Sequence, residues 1–176
     1  MRAPRRPQRP ALARAAPGDA ARGPPHGGIR VRGAPPHAPE RWIVLYDADC
    51  GLCKWLLAGL LHRDRDRRLR PVALQAAEAD ALLADLDPAE RMSSWHLVDS
   101  AGNRVSAGAA LPTLLRLLPR GRFPASVFGR FPRCTSAGYR WVAAHRTGLS
   151  RLVPQRAKRR ASALVREREL EAADYH

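Results

Sequence analysis

LYDADCGLC, residues 45–53, ends the first apolar run of the chain and holds two kinds of chemistry at once. Its D-A-D can present a phosphoryl-accepting carboxylate, and its C-G-L-C can present a redox dithiol. The flanks place it. Residues 42–46 (WIVLY) form a compact β-type run, and residues 52–62 (LCKWLLAGLLH) put Leu52, Cys53, Leu56, Leu57, Leu60 and Leu61 on one helical face. The stretch is therefore the turn from a strand into a helix.

An apolar strand followed by D-x-D resembles the opening motif of haloacid-dehalogenase-type phosphatases. That chemistry also needs Mg²⁺ held by an acidic residue late in the fold. No Asp or Glu occurs between Asp99 and Glu167, and Cys50 stands where that pattern has Thr or Val. The carboxylate reading fails on both counts.

The dithiol reading asks for less. A cysteine just before a helix meets unpaired backbone N–H groups and the positive end of the helix dipole, which both favour its thiolate. Cys50 holds that position. Cys53 lies about one turn further on and falls on the apolar face, so Cys50 is expected to attack and Cys53 to resolve. Asp47 is the third candidate: it would oppose the Cys50 thiolate, and it either accepts the Cys53 proton or, like Asp49, caps the helix.

Charge and composition set outer limits. The 176 residues suffice for one domain with a real core, and the formal net charge is +15. Counted along the sequence, residues 1–40 hold 8 basic and 2 acidic residues, 41–100 hold 8 and 10, and 101–176 hold 15 and 4. A basic total invites a nucleic-acid reading. All basic residues but Lys54 and Lys158 are Arg, among abundant Ala, Leu and Pro, which reads as coding bias and gives no firm support for nucleic acid. Three cysteines make no disulfide framework. No segment reaches the roughly 18 apolar residues of a membrane span, and the N-terminus lacks the apolar core of a secretory signal. The expected compartment is the reducing cytoplasm, where a lone Cys-x-x-Cys is catalytic or metal-binding rather than a structural bridge.

Residues 1–40 hold 9 of the 16 prolines and read as a disordered tail, also compatible with a transit peptide or an upstream start. Order is expected from Arg41. HRDRDRR (62–68) is a charged helix end, and LRPVAL (69–74) a strand that Pro71 assigns to an edge or bulge. QAAEADALLADL (75–86) is a helix stopped by Asp87-Pro88, SSWHLVDSAGNRVSAG (93–108) a hairpin, and AALPTLLRLL (109–118) a helix that tolerates Pro112 only in its first turn. Two short helices around 124–131 and 136–147 follow, with Phe123, Phe128, Phe131, Tyr139 and Trp141 expected to pack onto the core. Residues 151–176 read as a charged C-terminal extension, helical or frayed.

The order β-α-β-α-β-β-α with Cys-x-x-Cys at the first helix is that of an α/β, thioredoxin-like domain over residues 41–150. More closely, LYDADCGLCKWLL, HRDRDRR, RPVAL with Gln75, LVDSAGNRVSAGAALPTLLRLL and YRWVAAHR together resemble the DCC family of thiol-disulfide oxidoreductases. Its D-x-x-C-x-x-C pattern falls on Asp47, Cys50 and Cys53. Ala48 replaces the Gly usual after the Asp, and no proline precedes Trp95 where thioredoxin-like enzymes carry one facing the dithiol. The resemblance implies thiol-disulfide exchange with protein or small-molecule thiols and disulfides, and no bound cofactor or metal.

A second reading is a non-catalytic binding module. Cys50 and Cys53 would then pack, or hold zinc with Cys134 and His145, and the basic C-terminal half would dock on an anionic partner. His62 and His96 are assigned no chemistry. H-R-D at 62–64 lacks the other kinase motifs and is chance.

Overall fold

The computed structural model describes residues 41–173, so the expected N-terminal tail and the last three residues lie outside the described residues. Within them the chain is a mixed α/β structure with four strands and eight helices.

Strand β1 (Trp42–Tyr46) leads into helix α1 (Gly51–Arg63), as the opening stretch requires. β2 (Leu69–Ala73) returns parallel to β1, pairing Trp42 with Leu69 and Tyr46 with Ala73. β3 (His96–Val98) runs antiparallel to β1 on its other side, and β4 (Arg104–Ser106) pairs antiparallel with β3. The sheet order is β2-β1-β3-β4, so Pro71 sits on an edge strand, where its missing N–H costs no ladder bond.

Period-two alternation along β1 divides the core. Val44 and Tyr46 face a cluster with Leu57 and Leu61 of α1, Leu114 of helix α4 (Ala107–Arg116), and Ala161 and Val165 of helix α8 (Gln155–Ala173). Leu45 faces the opposite cluster, with Val72, Leu74, Ala79, Leu83 and Val98, beneath the short helices α2 (Ala77–Leu82) and α3 (Pro88–Ser93). Each fully buried Leu or Val contributes on the order of 1.5–3 kcal/mol.

The charged C-terminal segment is helical and packs along α1. Arg168 of α8 donates to Asp64 Oδ2 at 2.7 Å and to the carbonyls of Leu61 and Leu69 at 3.3 and 3.2 Å. Asp64 also accepts from the N–H groups of Arg68 and Leu69, at 3.0 and 2.9 Å. The HRD aspartate is thus a buried anchor joining α1, β2 and α8.

Several boundaries differ from expectation. The helix expected over 75–86 ends at Leu82, and Asp87-Pro88 starts α3 instead of marking a stop: Asp87 Oδ1 caps the N–H groups of Ala89 and Glu90 at 2.8 and 3.0 Å, with Pro88 in the first turn. α4 begins at Ala107, two residues early, so Pro112 lies inside it and not in the first turn. α4 crosses helix α6 (Pro132–Ala144) at Gly108, where a Cβ would stand 2.8 Å from the Cα of Ser136. Helix α5 (Arg122–Arg130), α6 and helix α7 (Arg146–Leu152) complete the chain.

The aromatics of α5 and α6 do not pack as expected. Phe123 is 78%, Phe131 54% and Trp141 57% exposed, and Phe128 is also exposed. Only Tyr139 is largely covered, and its hydroxyl accepts the Trp95 N–H at 2.8 Å. Phe128, Phe131 and Trp141 line a groove beside α1 instead of packing into the core, and Phe123 lies outside that groove.

Candidate dithiol site

Cys50 is the N-cap of α1, with extended backbone angles, and its Sγ accepts the N–H of Cys53 at 3.2 Å. Its carbonyl takes the Lys54 N–H at 3.1 Å. The helix is therefore capped by sulfur, and neither Asp47 nor Asp49 caps it. Asp47 Oδ1 accepts instead from the Asp49 N–H at 3.0 Å, which shapes the turn before the helix.

Both cysteines are free thiols, Cys50 half-buried and Cys53 buried. Their environments drive them apart. Hydrogen bonding from the Cys53 side chain, then from its backbone N–H, and the charge of Arg146 pull the Cys50 thiol down to about 6, against burial and the Asp47 charge. The Cys53 thiol is pushed up, first by its hydrogen bond to Cys50 and then by burial and the Cys50 charge, while a hydrogen bond donated by the Trp95 side chain draws the other way. The surroundings thus favour the charged form on Cys50 and the protonated form on Cys53.

Asp47 is nearly enclosed and held by two side chains to which motif reading assigns no role. Gln75 Nε2 donates to Asp47 Oδ1 at 3.0 Å and to Asp49 Oδ2 at 3.3 Å, and Gln75 Oε1 takes the Ala48 N–H at 3.2 Å. Arg146, at the start of α7, stands 3.5 Å from Asp47 Oδ2. It partly offsets the carboxylate charge beside Cys50. Gln75 and Arg146 both lie in segments that carried the family resemblance, RPVAL with its following Gln and YRWVAAHR; that was the available signal.

Asp47 and Cys53 open onto a groove of about 840 Å³ between α1 and α5–α6. Leu56 and Leu60 of α1, Leu111 of α4, Val127 and Phe128 of α5, and Trp141 and Val142 of α6 line it. The volume falls within the usual range for ligand sites, and the walls are apolar apart from a few convergent polar groups at the dithiol end. Cys134 also lines the groove, from an exposed position on α6. Among the described residues no group of three or more His, Cys, Asp or Glu is placed to hold a metal ion, so the zinc set with Cys134 and His145 does not assemble there.

His96 is buried and structural. Its Nε2 donates to the Arg91 carbonyl at 2.9 Å and its Nδ1 accepts from the Ser106 hydroxyl at 2.7 Å. Among the described residues no helix is long and apolar enough to cross a membrane.

Neither a curated protein nor a solved structure matches the chain. A family model described as DCC1-like thiol-disulfide oxidoreductase matches residues 44–152, which runs from inside β1 through the end of α7 and takes in Asp47, Cys50, Cys53, Gln75 and Arg146. With more than half of its length so matched, the chain belongs to the DCC1-like thiol-disulfide oxidoreductase family.

Proposed function

We propose that the chain exchanges thiols and disulfides with protein or small-molecule partners, with Cys50 as nucleophile and Cys53 as resolving thiol. The observation that carries this reading is the division of the pair: a thiol drawn down to about 6 at the helix cap, one turn from a buried thiol that keeps its proton. Family membership and a sheet order compatible with a thioredoxin-like domain over residues 41–150 support it.

The Cys50 thiolate attacks one sulfur of a substrate disulfide, forming a mixed disulfide and expelling the other sulfur as a thiolate. Cys53 then gives its proton to Asp47, and its sulfur attacks Cys50 Sγ, releasing the second substrate thiolate. The substrate gains two electrons and the enzyme becomes the Cys50–Cys53 disulfide. Run backwards, the same steps oxidise a dithiol. A Cys50 thiolate stable at neutral pH favours the reduced enzyme, so oxidation of the partner is the favoured direction.

Trapping tests the division of labour. Cys53→Ser incubated with a peptide disulfide should accumulate a mixed disulfide on Cys50, seen by intact mass, whereas Cys50→Ser should accumulate none. Equal adducts on both variants would remove the assigned order.

A further inference from the structure

The α5–α6 face leaves large apolar side chains uncovered among the described residues. Phe123, Val127 and Phe131 recur every fourth residue along α5 and its C-cap, 78%, 44% and 54% exposed, and Trp141 of α6 is 57% exposed. Such a cluster marks an interaction surface. Its charge has one sign: Arg116, Arg120, Arg122, Arg130, Arg133 and Arg140 are all exposed, and no acidic residue occurs between Asp99 and Glu167.

Charge decides between occupants. A second copy would set this cationic face against itself, and residues 1–40, with 8 basic against 2 acidic residues, would also be repelled. A nucleic acid would meet the arginines but leave Val127, Val142 and Leu56 against nothing apolar. An anionic bilayer supplies both partners: phosphates for the arginines, and acyl chains for the Phe, Trp and Val side chains at headgroup depth.

We propose that the α5–α6 face docks on the surface of an anionic lipid bilayer, with Phe123, Phe131 and Trp141 entering the headgroup layer. Phe131 and Trp141 also line the groove that ends at Cys53 and Asp47. Docking therefore sets the dithiol groove at the membrane surface, where membrane-associated thiols and disulfides are its nearest partners. The attachment is peripheral and independent of whether the dithiol turns over.

The test is flotation of the full chain with phosphatidylcholine vesicles, alone and with about 30% phosphatidylglycerol, in about 0.15 M NaCl. Partition onto the anionic vesicles should be at least about tenfold stronger, and should fall at least about tenfold in Phe123→Ser/Phe131→Ser. Both positions are exposed, so circular dichroism should show that variant folded. Cys50→Ser should float like the wild type, which separates this result from the redox reading. The proposal is overturned by any of three outcomes: no flotation with anionic vesicles, flotation unchanged in the double variant, or displacement from the vesicles by a single-stranded oligonucleotide. Self-association of the wild type that the double variant abolishes would assign the face to a dimer and overturn it as well.

Discussion

The N–H of Cys53 donates to Sγ of Cys50 over 3.2 Å, so the sulfur with the lowered pKa is also the cap of α1. Oxidation to a Cys50–Cys53 disulfide removes the charge from that cap, which ties the redox state to the first turn of the helix. Thiolate chemistry should follow from the same contact: alkylation of Cys50 by iodoacetamide should rise through a midpoint near 6, well below that of an ordinary cysteine at about 8.5. A midpoint near the ordinary value would show that the cap does not hold the thiolate.

Arg146 and Asp47 act on Cys50 with opposite sign. Arg146→Gln should move the alkylation midpoint up and slow the reaction near its wild-type midpoint by about two- to fivefold. Asp47→Asn should move it down, yet slow resolution of the mixed disulfide if Asp47 takes the Cys53 proton as proposed. Midpoints that shift the same way in both variants would contradict the assigned charges.

Arg168 and Asp64 are buried together, with side chains 6% and 0% exposed. Arg168→Ala leaves a carboxylate without its cation and should cost about 3–5 kcal/mol in urea unfolding. Arg168→Met combined with Asp64→Leu should cost less than that single change. If the double variant is the worse of the two, the cost comes from the backbone groups that Asp64 and Arg168 serve and not from the stranded charge.

His96 is held neutral, with its pKa lowered first by burial. The unfolded chain therefore takes up a proton near pH 6.5 that the folded chain refuses until lower pH, so this group's stability contribution is complete above about 6.5 and falls as pH drops through it. His96→Gln should flatten the slope of unfolding free energy between about pH 5.5 and 7. An unchanged slope would place the acid sensitivity elsewhere.

Ala107 sits at the start of α4 with φ 55°, in the left-handed region that penalises a Cβ. Ala107→Gly should stabilise the fold by about 1 kcal/mol, read as a shift in urea midpoint at constant slope. Loss of stability would mean that the extra chain entropy of glycine outweighs the relief of backbone strain.

The sequence was most legible where local rules act alone. WIVLY followed by Cys-x-x-Cys and a leucine-rich run fixed β1, α1 and the two thiols, since strand pattern, cap and helical spacing agree over residues 42–63. Asp87-Pro88 is ambiguous in sequence because the same pair can stop one helix and start the next; Asp87 at the cap makes it a start. The exposed rings of α5 and α6 were misplaced because periodicity shows that a face is apolar but not what covers it. Arg146 reaches Asp47 from the far end of the matched segment, and no local spacing rule could have paired them.

The most direct test is a glutathione redox titration of the whole chain, with thiols alkylated at each step and located by mass. A reversible two-electron transition should join Cys50 to Cys53 and leave Cys134 alkylatable, with a midpoint less negative than about −270 mV, the thioredoxin value. A chain in which Cys50 and Cys53 stay separately alkylatable across the whole titration would contradict it.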